Sequence, residues 1–87
     1  MTFSQALKEA KKLAAESRSS LMTVTEVFVY SSGERTTEIQ VYLSGMSEIY
    51  TGKTYEEAVQ KAAAAVRQNE RQALADYARQ LAQEAEA

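Results

Sequence analysis

The sequence predicts an α+β fold: a three-stranded antiparallel sheet with two helices on one face, in the order α-β-β-β-α, and a helical C-terminal extension. Three observations predict it. Apolar side chains recur at helical spacing near both ends of the first 68 residues. Between them, residues 35–44 alternate apolar and polar with the period of a half-buried strand. Short Ser/Gly punctuation separates the β-type runs, which suits a meander better than crossover connections. A domain over 1–68 and an extension over 69–87 follow.

The first helix is expected over 3–17. Thr2 and Gln5 have capping-box spacing, and Phe3, Ala6, Leu7, Ala10, Leu13 and Ala14 fall on one face. Lys8, Lys11, Lys12 and Arg18 lie mostly on the other, with Lys12 and Glu16 spaced to pair. Such a face is ordinarily a solvated one. Ser17-Arg18-Ser19-Ser20 breaks the pattern, and residues 21–31 turn β-branched and aromatic. Ser31-Ser32-Gly33-Glu34 reads as a tight turn with positive φ available at Gly33. In the next strand Thr37, Ile39, Val41 and Leu43 alternate with Glu38, Gln40, Tyr42 and Ser44. Ser44-Gly45 turns again into a short strand, Met46–Thr51, with Ile49 expected to point inward.

The second helix opens after Gly52. Thr54 should cap it, its hydroxyl accepting from the Glu57 N–H while the Glu57 carboxylate reaches back to the Thr54 N–H. Glu56 and Glu57 suit the positive end of the helix dipole. Val59, Ala62, Ala63 and Val66 form a narrow stripe whose small side chains allow close approach to the sheet.

Composition limits the chemistry. The chain has 87 residues, a net charge of −2 and neither Cys nor His. Disulfides, thiolate zinc sites, a cysteine nucleophile and the commonest general base are therefore excluded. No phosphate loop or metal-ligand cluster is present, Ser31 and Ser32 have no histidine to activate them, and Thr54-x-x-Glu57 is a cap. A non-enzyme without cofactor or metal is expected. With no apolar run of membrane-spanning length and no signal-peptide pattern, it is expected to be cytoplasmic and off the membrane.

On strand parity, Val27, Val29, Ile39, Val41, Leu43 and Ile49 should face the helices. Phe28, Tyr30, Tyr42, Met46 and Tyr50 should lie on the opposite face, an aromatic surface for a protein partner built on Phe28, Tyr30, Tyr42 and Tyr50. The extension carries Ala73, Leu74, Tyr77, Ala78, Leu81, Ala82 and Ala85 on one face, out of phase with Val59 and Val66. Leu74, Tyr77 and Leu81 are the expected contacts of a homodimer; docking back on the open sheet is the other possibility.

The order of elements, with Gly52, Thr54, Glu57, Ala58, Ala62 and Ala63 around the second helix, resembles the double-stranded-RNA-binding domain over about residues 3–68. The resemblance implies the fold. It does not imply RNA binding, because Tyr55, Glu56 and Val59 stand where that family places phosphate-gripping lysines. The Ser31-Ser32-Gly33-Glu34 turn also lacks the family's Pro and His. In size, acidity and lack of catalytic residues the chain is similar to small phage and mobile-element proteins such as anti-CRISPR proteins. The function expected is thus a small non-catalytic protein-interaction module, inhibitory in the manner of those phage proteins. The alternative is a nucleic-acid-associated protein using Lys8, Lys11, Lys12, Lys53 and Lys61.

Overall fold

The structure, a computed structural model, describes residues 1–86; Ala87, the end of the expected extension, lies outside them. The observed order is α1 (Phe3–Glu16), β1 (Met22–Ser31), β2 (Glu34–Leu43), β3 (Ile49–Gly52) and α2 (Tyr55–Glu86). The strands form one antiparallel sheet in the order β1-β2-β3, and both helices cover the same face.

Local chemistry sets the element ends. Thr2 and Gln5 form the expected capping box at α1. At its other end Arg18 takes φ 55°, while Ser19 N–H donates to Ala14 O and Arg18 N–H to Ala15 O. This is the left-handed stop of a Schellman motif, with arginine where glycine is usual. Between β1 and β2, Ser32 and Gly33 have φ 51° and 81°, the two positive values of a type I′ hairpin. At α2 the Glu57 N–H donates to Thr54 Oγ1, but the Glu57 carboxylate accepts from the Lys53 N–H instead of the Thr54 N–H. The capping box expected there is thus displaced by one residue on its return arm. Lys12 also pairs differently from expectation, with Glu9 at 3.4 Å on the turn before it.

The core is thin. Ala6, Ala10 and Leu13 of α1 meet Ala58, Val59, Ala62 and Val66 of α2 above Ile39, Val41, Leu43 and Tyr50 of the sheet. Alanine at the helix contacts lets the backbones come close, and Leu43, Val41 and Val66 are the largest fully buried side chains. Gly52 shows how tight the fit is, since a Cβ there would lie 2.7 Å from the Ala58 nitrogen. Gly45 is equally confined: its N–H donates to Ser19 Oγ, and a Cβ would meet Ser17 O at 2.4 Å.

The register corrects the expected faces of β1 and β3. Met22, Val24 and Glu26 pair with Leu43, Val41 and Ile39, so even-numbered β1 residues share the helix-covered face. Val27 and Val29 pair with Glu38 and Thr36 and lie on the open face. Tyr50 pairs with Val41 and is buried, whereas Ile49 pairs with Tyr42 on the open side. Met46 packs against the core instead of lying on the open face. One slip of parity moves every side chain of a strand to the other face, and the pairing partners fix the choice.

Two parts extend beyond the packed layers, giving the molecule a long axis of 63 Å. The β1–β2 hairpin runs past the helices, and residues 28–37 are all exposed. α2 continues past Asn69 as one uninterrupted helix; Val66 is its last buried residue among the described ones, and the Asn69 amide reaches Met46 Sδ at 3.8 Å. The second half of α2 therefore does not dock on the open sheet.

Two stability measurements check this description. Tyr50→Ala should cost about 3 kcal/mol by emptying a packed aromatic site, whereas Tyr30→Ala should stay within about 0.5 kcal/mol; equal effects in denaturant titrations would contradict the register. Arg18→Gly should stabilise by about 1 kcal/mol, because glycine adopts the left-handed cap without the Cβ penalty. For a chain of this size that is a rise in Tm of roughly 4–8 °C.

Candidate protein-interaction surfaces

The four aromatics expected on one surface are divided by the fold. Tyr50 is in the core, and its phenol pKa is raised by burial and, secondarily, by the Glu48 charge. Tyr42 is half-buried on the open sheet face between Thr23 and Ile49. Phe28 and Tyr30 remain together, on the helix side of β1 but beyond the reach of either helix, exposed by 52% and 71%. A single four-residue aromatic surface therefore does not form.

The hairpin adds a residue that the sequence reading did not select. Arg35 is paired with Tyr30, and its guanidinium carbon lies 4.6 Å from the Phe28 ring centroid. Phe28, Tyr30 and Arg35 thus share one face of a projecting two-stranded arm. Among the described residues no carboxylate forms an ion pair with Arg35. The signal was available: a two-residue turn at Ser32-Gly33 places residues 30 and 35 across from one another.

The open sheet face is of different character. Thr23, Thr25, Val27 and Val29 run beside Thr36, Glu38, Gln40 and Tyr42, with Ile49 and Thr51 at the far edge. Gln40 donates to Glu38, and Thr36 Oγ1 donates to Val29 O. It is a threonine- and valine-rich surface whose charges, Glu34 and Glu38, are both acids.

On α2, Leu74, Tyr77 and Leu81 are exposed by 69%, 61% and 47%. They line one side of the half of α2 that follows its last buried residue, Val66, so the structure brings together the three residues expected to dimerise and leaves them exposed. The chain matches no protein-family model, no curated protein and no solved structure. What its surfaces bind is therefore argued from their own chemistry.

The lysines are dispersed. Lys8 and Lys11 are exposed on α1, Lys12 pairs with Glu9, and Lys61 pairs with Glu57 at 3.4 Å. A shallow cavity beside the start of α2 is lined by Lys53, Glu57 and Lys61 together with Val29, Thr36 and Thr51. Of its two carboxylates, Glu57 is already committed to the Lys53 N–H and to Lys61, and Glu38 accepts from Gln40. Nearby, the Tyr55 hydroxyl donates to Glu26 at 3.2 Å, and the Tyr55 ring meets Phe3 edge-on. Among the described residues no group of three His, Cys, Asp or Glu is placed to hold a metal ion, and no helix is long and apolar enough to cross a membrane.

The Glu57 contacts have a pH consequence. The Lys53 N–H and then Lys61 hold its carboxyl below the ordinary glutamate range. The folded chain then binds fewer protons here than the unfolded one. The contribution is complete above the unfolded glutamate pKa and is lost as pH falls through the lowered folded value. Glu57→Gln should lower Tm at neutral pH and converge with the native chain in acid; a constant difference across that range in thermal melts would refute the linkage.

Proposed function

We propose that this protein is a small non-catalytic interaction module that acts by binding a protein partner, as an inhibitor of the kind phages encode would do. The observation that carries the reading is the hairpin face formed by Phe28, Tyr30 and Arg35. Tyr and Arg are enriched among residues that dominate binding energy, and here they stand on an antiparallel arm outside the core. The α-β-β-β-α order is the one implied by the resemblance to double-stranded-RNA-binding domains. The lysine-poor start of α2, where Tyr55, Glu56 and Val59 stand, supports a protein ligand over duplex RNA. Leu74, Tyr77 and Leu81 belong to the same reading as a self-association surface.

The test is capture of a partner from the native host with the intact chain, followed by calorimetry on the purified pair. Tyr30→Ala and Phe28→Ala should each weaken binding tenfold or more, about 1.4 kcal/mol or above. Melting temperatures should hardly change, because both side chains are exposed. Undiminished binding by the double substitution would remove the hairpin from the interface. Tight, salt-sensitive binding of duplex RNA at physiological ionic strength would replace the reading with the nucleic-acid one.

A further inference from the structure

We infer that β1 pairs edge to edge with β1 of a second copy, antiparallel about Phe28, so that two three-stranded sheets join into one. The inference goes beyond the reading above and uses a surface separate from Leu74, Tyr77 and Leu81. Three observations carry it.

The first is the edge itself. β1 is an outer strand, and all 10 of its residues pair with β2 in one unbroken register. The two-residue turn makes Ser31 and Glu34 a hydrogen-bonded pair, so the odd-numbered residues of β1 direct their backbone groups to β2. The N–H and C=O of Val24, Glu26, Phe28 and Tyr30 point outward, and among the described residues no backbone group pairs with them. Natural edges are blunted by lysine, proline, a bulge or an inward-facing charge. β1 has no lysine, proline or bulge. The edge of β2 that runs on beyond β3, by contrast, has Lys53 and Lys61 near Thr36 and Thr37. The second observation is access. From Phe28 outward the hairpin lies past both helices and is exposed throughout, so a neighbouring strand can reach it.

The third is self-complementarity, and it names the occupant. Glu26 is the one charge of β1 and lies on the helix-covered face, so an added strand must satisfy it. Its Oε2 accepts from Tyr55, which leaves Oε1. A twofold through Phe28 sets Phe28 on Phe28, Val27 across from Val29, Thr25 across from Ser31 and Glu26 across from Tyr30. Tyr30 is itself paired with Arg35, whose guanidinium lies over Phe28. Each Glu26 is then diagonal to the other copy's Phe28 and beside the Arg35 that covers it. Among the described residues neither Glu26 nor Arg35 has an ion-pair partner in its own chain. Other registers lose this match. Centring on Glu26 opposes the two carboxylates. Centring on Val27 makes them diagonal neighbours and drives Tyr30 against Val24, which packs on the core. Centring on Val29 carries Glu26 past Arg35 to the turn, across from Ser32. A foreign strand would need its own cation and aromatic at these positions, whereas a second copy has both.

A contact made along one strand edge is smaller than a standard interface, so the pair should form at about 0.5 mM and dissociate at the low-micromolar concentrations of melting experiments. Light scattering of the full chain carrying Leu74→Glu and Leu81→Glu, both exposed positions, should still give that dimer. Arg35→Glu in the same chain should weaken it roughly fivefold, and Glu26→Arg together with Arg35→Glu should restore it. The chain has no cysteine, so introduced thiols report register directly. Under oxidation, Val27→Cys mixed with Val29→Cys should give the mixed disulfide in preference to either symmetric one. Both valines lie on the open face, so the thiols leave Phe28, Tyr30 and Arg35 in place. A monomer at that concentration would overturn the inference, as would β1 amides protected from exchange only in a complex with another protein. Predominantly symmetric disulfides would overturn the Phe28-centred pairing. Partner binding by the hairpin face is read separately, by calorimetry with Tyr30→Ala, and stands or falls without the dimer.

Discussion

The register of β1 on β2 is the constraint on which the rest of this structure depends. Ser32 and Gly33 close the hairpin in two residues with positive φ at both positions, and that turn joins the strands in one register. Once Ile39, Val41 and Leu43 face the helices, the partners Glu26, Val24 and Met22 must face them too. The register thereby sends Val27 and Val29 to the open side and carries Phe28 and Tyr30 out along the hairpin beside Arg35. The candidate partner surface is a product of this pairing as much as of the aromatic residues in it.

A second constraint is the thinness of the core. Alanines at positions 6, 10, 58 and 62 allow α1, α2 and the sheet to approach closely, and glycines 45 and 52 admit backbone contacts that a Cβ would obstruct. Close approach favours dispersion and exclusion of water but supplies little apolar area per residue. Hydrogen bonds at the margins complement it: Ser17 Oγ donates to Leu13 O within the end of α1, while the Gly45 N–H donating to Ser19 Oγ and the Leu21–Ser44 pair tie the segment after α1 to the β2–β3 loop. Leu74, Tyr77 and Leu81 on the α2 arm and Phe28, Val29 and Tyr30 on the hairpin are exposed.

The sequence by itself determined the element order, the Thr2–Gln5 cap, the inward set of β2, the Ala-rich inner face of α2 and the chemical poverty that leaves no His or Cys to work with. These are local or compositional properties: helical and strand periods, cap spacing and residue inventory are written in neighbouring positions. Only the tertiary structure decided the faces of β1 and β3, because period-two patterns such as Val27-Phe28-Val29-Tyr30 are apolar on both parities and the choice lies with the paired strand. It likewise decided that Tyr50 is core, that Arg35 stands over Phe28, that the Glu57 carboxylate accepts from the Lys53 N–H and not the Thr54 N–H, and that α2 continues unbroken past Asn69. Each of these depends on which distant atoms arrive beside a residue, and a side chain's own period carries no record of that.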